Sequence, residues 1–196
     1  MFTGIVKSIG IIKEIKPKGD GYFFSIGTSL LEYVAIGSSL AVGGVCLTVC
    51  EKEGDVIKFE IMPETLRKTI LESKKEGDSV NIEPSLKIGD EVGGHFVYGH
   101  VDGVGKVLEI AKDGDGVLVS IEPPKNLMKY IAPQGSIAVD GVSLTIAQVN
   151  KDSFMVSLVS YTLVNTTLGK LEVGGGVNIE TDMLAKYLER IKNYEL

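Results

Sequence analysis

The chain has 196 residues, 20 Lys+Arg against 26 Asp+Glu, and a formal charge of −6. That length accommodates two small domains, each with its own core. An acidic chain without a Lys/Arg run lacks the basic patches that hold nucleic acid or an anionic membrane, so neither is an expected partner.

In chain order, the segment from Met1 to Val6 has no basic n-region and no long apolar core. A cytoplasmic chain is therefore expected, with Cys46 and Cys50 as reduced thiols. Short Val/Ile-rich runs between Gly, Asp and Pro turns predict strands over 5–15, 22–27, 39–50, 56–62 and 80–83. Short helical turns are predicted over 30–36 and 63–71, with counterparts over 126–131 and 161–168. The longest apolar stretch, 40–50, contains two Gly and a Thr. It falls well short of the ~20 residues a membrane span needs.

The sequence then repeats itself. Ser39-Leu-Ala-Val-Gly-Gly-Val-Cys-Leu-Thr-Val49 matches Ser136-Ile-Ala-Val-Asp-Gly-Val-Ser-Leu-Thr-Ile146 at seven of eleven positions, an offset of 97. The same offset pairs Leu30, Tyr33 and Ala35 with Leu127, Tyr130 and Ala132, Thr65 with Thr162, and Val80-Asn-Ile-Glu83 with Val177-Asn-Ile-Glu180. With a two-residue shift, Gly4, Val6 and Gly10 pair with Gly99, Val101 and Gly105. Such a duplication of five or six short strands predicts two small antiparallel barrels, over 1–92 and 93–182. The tail, 183–196, breaks the pattern. Leu184, Tyr187, Leu188, Ile191 and Tyr194 trace one helical stripe after the capping candidates Thr181 and Asp182, and the expected use of that stripe is packing against other subunits.

Side chains alternate along a strand, so Val45, Leu47 and Val49 share one face while Cys46 and Thr48 share the other. In the second copy Val142, Leu144 and Ile146 face the core, and Ser143 and Thr145 face away. One such strand is ordinarily a half-exposed sheet with a polar outer face. Two copies with the same off-core pair point instead to a ligand surface. Between the copies the aliphatic frame is kept while the reactive groups diverge. Cys46 corresponds to Ser143, Ile5 to His100, Lys7 to Asp102, Glu64 to Tyr161 and Ser85 to Asp182. Two pockets of one shape can bind the same kind of molecule and treat it differently. The two histidines, His95 and His100, differ in strand parity, and neither C-x2-C nor H-x3-H spacing occurs, so no metal site is expected. Gly103-Val-Gly105 opens no helix, so no dinucleotide fingerprint is present.

Seven motifs in order carry a resemblance: Met1-Phe-Thr-Gly-Ile-Val6, Gly43-Gly-Val-Cys-Leu-Thr48, Met62-Pro-Glu-Thr-Leu66, Gly93-Gly-His-Phe-Val-Tyr-Gly-His-Val-Asp-Gly103, Ser136-Ile-Ala-Val-Asp-Gly-Val-Ser-Leu-Thr145, Thr166-Thr-Leu-Gly169 and Asn178-Ile-Glu-Thr-Asp182. Together they resemble the riboflavin synthase family over essentially the whole chain. The resemblance implies an all-β tandem of two six-stranded antiparallel Greek-key barrels, a C-terminal helix that assembles a homotrimer, and no cofactor or metal. It implies a dismutation in which two molecules of 6,7-dimethyl-8-ribityllumazine exchange a four-carbon unit, giving riboflavin and 5-amino-6-ribitylaminouracil. One barrel would hold the donor and the other the acceptor, the first barrel of one subunit facing the second of its neighbour. Lumazine synthase is a further partner that the resemblance leaves open.

The resemblance also implies site residues. His100, Ser143, Thr145 and Asp182 are placed on the second-repeat side, and Phe2, Ser39, Cys46 and Thr48 on the first. Cys46 either acts as a nucleophile or lines the ring, and Asp182 either orients His100 or binds ribityl hydroxyls. Backbone groups of Gly4, Ile5 and Val6, of Cys46, Leu47 and Thr48, of Gly99, His100 and Val101, and of Ser143, Leu144 and Thr145 are implied to hold the lumazine rings. Glu60, Ile61, Met62, Pro63, Glu64 and Thr65 are implied to hold one ribityl chain, and Val159, Ser160, Tyr161, Thr162, Leu163 and Val164 the other. Departures from the family pattern are Gly43 for the usual Asn, Gln134 where a Lys is common at a substrate-binding position, and Ser160-Tyr161 for Pro-Glu. The competing class is a non-catalytic homologue that binds a lumazine or flavin as an optical antenna. Such proteins tend to lose the reactive polar groups of one repeat, whereas Cys46, His100, Ser143 and Asp182 are all present.

Overall fold

The computed structural model describes residues 1–194, apart from the side chain of Tyr33. Six strands of the first half, β1 (Ser8–Lys18), β2 (Gly21–Gly27), β3 (Ser39–Val42), β4 (Val45–Glu53), β5 (Val56–Ile61) and β6 (Ser79–Pro84), close into an antiparallel barrel in the order β1-β2-β5-β4-β3-β6. The second half does the same with β7 (Gly103–Asp113), β8 (Gly116–Glu122), β9 (Ser136–Val139), β10 (Val142–Val149), β11 (Phe154–Leu158) and β12 (Gly176–Thr181). Non-sequential neighbours such as β2 with β5 make each barrel a Greek key. Both copies carry register shifts at equivalent places, in β1 after Ile12 and β7 after Val107, and in β4 after Val49 and β10 after Ile146. Closing so small a barrel bends its strands there.

Two strand predictions change. The stretch 39–50 is two strands, because Gly43 and Gly44 take φ of +55° and +80° and form a two-residue hairpin turn, matched by Asp140 and Gly141 at +46° and +79°. The first strand begins at Ser8 rather than at residue 5, because the chain before it leaves its own barrel. The short helices fall at α1 (Pro63–Lys68), α2 (Ser160–Asn165) and α3 (Met183–Lys192), with 3-10 turns at Leu31–Tyr33, Ile70–Ser73, Lys125–Tyr130 and Thr167–Lys170. The tail helix thus ends at Lys192, and the last two positions of the predicted 183–196 helix lie outside the described residues.

Each barrel has its own apolar core, and alternation fills it as expected. Val45, Leu47 and Val49 are buried in one, Val142, Leu144 and Ile146 in the other. A third cluster, Phe2, Ala41, Val97 and Ala138, lies in the seam between the barrels, with Cys46 packed against it. Phe2 and Val97 exchange two backbone hydrogen bonds of 2.7 and 3.0 Å, so the entry segments of the two repeats pair with each other. The two hairpin turns meet backbone to backbone: a Cβ on Gly44 would sit 2.5 Å from the Gly141 nitrogen. Asn81 and Asn178 lock this seam reciprocally. The Asn81 amide donates to the Asp140 carbonyl and accepts from Thr167 N–H, while Asn178 donates to the Gly43 carbonyl and accepts from Ile70 N–H. Each amide is buried, so truncating either strands polar groups at ~1–3 kcal/mol apiece.

No side chain of α3 is buried, and Leu184, Leu188 and Ile191 are each more than two-thirds exposed. Polar contacts hold the helix on the second barrel: Lys186 to Asp102 at 2.6 Å, and Glu189 to Lys129 and Tyr130. Among the described residues, no helix is long and apolar enough to cross a membrane.

Candidate active site

The entry segments decide how the pockets are built. After pairing through Phe2 and Val97, each crosses to the other barrel. Ser143 N–H of β10 donates to the Gly4 carbonyl at 2.8 Å, and Cys46 N–H of β4 donates to the Gly99 carbonyl at 2.9 Å. Val6 packs on the core of the second barrel and Val101 on that of the first. Only glycine permits this approach, since a Cβ on Gly4 would lie 2.5 Å from that of Ser143 and one on Gly99 2.6 Å from that of Cys46, both with φ near +75°. The division of site residues by repeat is therefore corrected. His100 belongs beside Cys46, and Gly4 to Val6 belong beside Ser143, so each pocket is a hybrid of both repeats. It follows that Cys46 N–H and Ser143 N–H, expected to bind ring atoms, are already satisfied within the chain.

The first pocket is the outer face of β3 and β4. Ser39 is opposite Thr48 and Ala41 opposite Cys46. Cys46 is half-buried and Thr48 exposed. Beside them the His100 ring is exposed, 6.2 Å from that of Tyr98. The arm running from Glu60 to Thr65 presents Met62, 60% exposed, and Glu64, whose carboxylate takes ion pairs from Arg67 and Lys68 at 2.6 and 2.8 Å. Those two cations hold Glu64 well below the usual carboxylate range, to about 2, Lys68 being the stronger influence. Leu47 and Ile61 face the barrel core, so they can offer a ligand only their backbone.

The second pocket repeats this plan on β9 and β10, with Ser136 opposite Thr145 and Ala138 opposite Ser143. It has one group that the first lacks: His95 Nδ1 and Ser143 Oγ are hydrogen-bonded at 2.7 Å. Burial pushes the His95 imidazole below its ordinary value, while the nearby Asp182 carboxylate partly opposes this. Asp182 caps α3 by accepting from Leu184 N–H at 2.9 Å, and the histidine on which its charge acts is His95. The arm from Val159 to Val164 is open to solvent, with Val159, Tyr161 and Val164 more than half exposed. Ser160 is tied to the Asp115 carbonyl, Thr162 is half-buried, Leu163 leans on the core, and Leu144 lies within it. Gln134 sits in a left-handed turn, φ +64°, with its N–H on the Ile146 carbonyl just past Thr145. A cleft of about 720 Å3 adjoins this pocket at Ile5 and is lined also by Lys7, Leu30, Glu83, Ser85 and Gly93.

Three placements were not legible from the motifs. Phe2 is fully buried in the seam and supports both pocket floors from behind. His95 is not among the site residues that the resemblance implies; the strand parity used against a shared metal site does not apply to it, because residues 93–102 form no regular strand and the two histidines serve different pockets. Glu83 and Glu180 clamp the entry segments: Glu83 accepts from Thr3 N–H, Thr3 Oγ1 and Gly4 N–H at 2.7 to 3.0 Å, and Glu180 accepts from Tyr98 N–H at 2.6 Å. The Val-Asn-Ile-Glu run recurring at 80–83 and 177–180 is the available signal for them.

The two pockets, alike in backbone and different in reactive groups, define a double-barrel protein with two equivalent candidate ligand surfaces. Residues 3–85 and 98–182 each match the lumazine-binding domain family. The chain is 42% identical to the riboflavin synthase of Brucella abortus (strain 2308) over the full length of both, and 38% identical to that of Bacillus subtilis (strain 168), covering 97% of this chain and 89% of that one. Among solved structures, LumP complexed with riboflavin superposes with a TM-score of 0.87 at 33% identity, covering 93% of this chain and all of that one. LumP complexed with 6,7-dimethyl-8-(1'-D-ribityl) lumazine gives 0.84 at 32% identity, covering 92% and 99%. The chain belongs to the lumazine-binding riboflavin synthase family.

Proposed function

We propose that the protein is an enzyme of riboflavin biosynthesis that converts two molecules of 6,7-dimethyl-8-ribityllumazine into riboflavin and 5-amino-6-ribitylaminouracil. The observation that carries this reading is the pair of equivalent pockets with unequal chemistry, Cys46 in one and a Ser143–His95 pair in the other. A dismutation needs that arrangement, because identical molecules must become donor and acceptor. The C7 methyl of the lumazine is an acidic carbon acid, so a modest base suffices to form the carbanion that attacks the second ring. His95, kept neutral by burial and bonded to Ser143, can take up and return a proton at the ring edge. Holding two rings in attack geometry supplies up to ~7–11 kcal/mol more. Thr48, Thr145, Ser39 and His100 line the ring surfaces, and the arms at Glu60 to Thr65 and Val159 to Val164 take the ribityl chains.

Both pockets are open in a single chain, and the α3 stripe is uncovered. This supports an assembly in which the first barrel of one subunit closes on the second barrel of the next, with α3 as the assembly element; the homotrimer and the cytoplasm as the place of action follow from the likeness to the family. An exposed apolar helix of ten residues is marginal alone. Truncation before Met183 should give monomers by light scattering, and a persisting trimer would overturn the assembly role. The activity test is to incubate the pure protein with the lumazine in EDTA and follow riboflavin absorbance. Riboflavin formation is expected. Unchanged lumazine fluorescence with tight binding would instead favour the antenna reading, which the LumP complexes make the alternative.

A further inference from the structure

Glu83 and Glu180 do the same task with different help. Glu83 receives three hydrogen bonds from Thr3 and Gly4. In the second repeat Tyr98 stands where Thr3 does, so the hydroxyl donor is gone, and although Gly99 N–H faces the carboxylate, the buried Oε2 of Glu180 makes no full hydrogen bond among the described residues. A second carboxylate is also close. Asp102, where the first repeat has Lys7, accepts from Thr181 N–H and Thr181 Oγ1, both at 2.8 Å, and its charge acts unfavourably on ionised Glu180. The cation that offsets both is Lys186, which donates to Asp102 Oδ1 at 2.6 Å from the first turns of α3; both side chains are about four-fifths buried. Partly buried pairs of this kind escape most solvent screening.

The two carboxylates hold opposite ends of the segment that carries His100. Glu180 holds Tyr98 N–H, and Asp102 is fixed to Thr181 while its own N–H donates to the Ile179 carbonyl at 2.8 Å. Between them Gly99 bonds Cys46, and His100 stands exposed. We infer that Lys186 is a positioning residue for His100, setting the first pocket from the assembly helix through Asp102. The first repeat needs no such cation, since one fully bonded carboxylate holds its entry segment. The inference rests on the reading of the protein as a lumazine dismutase.

The test compares two tethers of the same helix. Lys186→Met cuts the one that reaches the His100 segment, and Glu189→Gln weakens the one to Lys129 and Tyr130, which touches neither pocket. In the full-length assembly, Lys186→Met should lower kcat roughly tenfold or more with KM little changed, because a small misplacement costs chemistry more than binding. Glu189→Gln should stay within about twofold, and Lys186→Arg should recover most of the loss. The His100 imidazole signals in NMR should move in Lys186→Met and not in Glu189→Gln. Unchanged rate and His100 signals in Lys186→Met, or equal losses in both variants, would overturn the inference, the latter by showing that helix docking alone matters. If Lys186→Met does not fold, Lys186→Gln is read the same way. If the wild type makes no riboflavin, the dismutase reading falls, while the His100 signals still decide whether the tether exists.

Discussion

The two pockets differ less in architecture than in what stands behind their reactive groups. In the first, Cys46 rests on the seam cluster and His100 is held out on a segment braced from α3. In the second, Ser143 is directly bonded to a half-buried histidine. Duplication supplies two cradles of one shape, and a few substitutions, Cys46 for Ser143 and Lys7 for Asp102 among them, divide the work. The chain crossing makes the division tighter, because every pocket contains residues of both repeats and neither can change alone.

The strongest way to break this comparison is to damage the pockets separately. Cys46→Asp and Ser143→Asp each put a charge on one ring surface, and each should lower riboflavin formation by ~10²-fold or more. Refolded together, the two variants should regain activity if a first pocket on one chain meets a second on its neighbour. Background activity in demonstrably mixed trimers would place each site within one chain. Pairing Cys46→Asp with His100→Asp would be uninformative, since the crossing puts both in the same pocket.

A smaller effect sharpens the role of the second pocket. His95→Gln should cost roughly 10²-fold in kcat, with lumazine still bound in the first pocket. Because burial lowers the His95 pKa, the wild-type rate should hold below pH 6.5 before the imidazole protonates. The Asp182 carboxylate favours the imidazolium, so Asp182→Asn should move the acid limb of kcat/KM to still lower pH. A limb that stays or rises would detach Asp182 from His95.

Smaller again is the asymmetry of the hairpin turns. Asp140 is buried, accepts from Asn178 N–H at 2.7 Å, and is pushed by desolvation to about 7. Its folded carboxyl keeps a proton that the unfolded chain releases above 3.8, so its contribution to stability is lost as pH rises from there to about 7. Asp140→Asn removes that slope. Its advantage over the wild type should widen between pH 5 and pH 8 by roughly 1–3 kcal/mol, several degrees in Tm for a chain of this size. A constant Tm difference would show that the carboxyl does not titrate there. At the equivalent position, an added Cβ on Gly43 meets only Asn178 Nδ2, at 3.7 Å, and Asn tolerates φ +55°. Gly43→Asn should therefore change stability by less than ~1 kcal/mol.

Sequence alone determined the duplication, the alternation that fills each core, the polar pairs on β4 and β10, and the helical stripe of α3. These follow from local periodicity and from the repeat, which survive in any register. Gly43-Gly44 could be read as a pause in one strand because two glycines do not announce their φ. Tertiary structure decided the rest: which barrel each entry segment joins, that Phe2 is a seam residue, that His95 meets Ser143 and that Lys186 meets Asp102. Those contacts join residues about 50 to 140 positions apart in the chain. No local period encodes them, because a segment with one apolar face packs equally well on either of two nearly identical barrels. The glycine-to-backbone approach at Gly4 and Gly99 is what makes room for the crossing, and it is visible only once both barrels are folded.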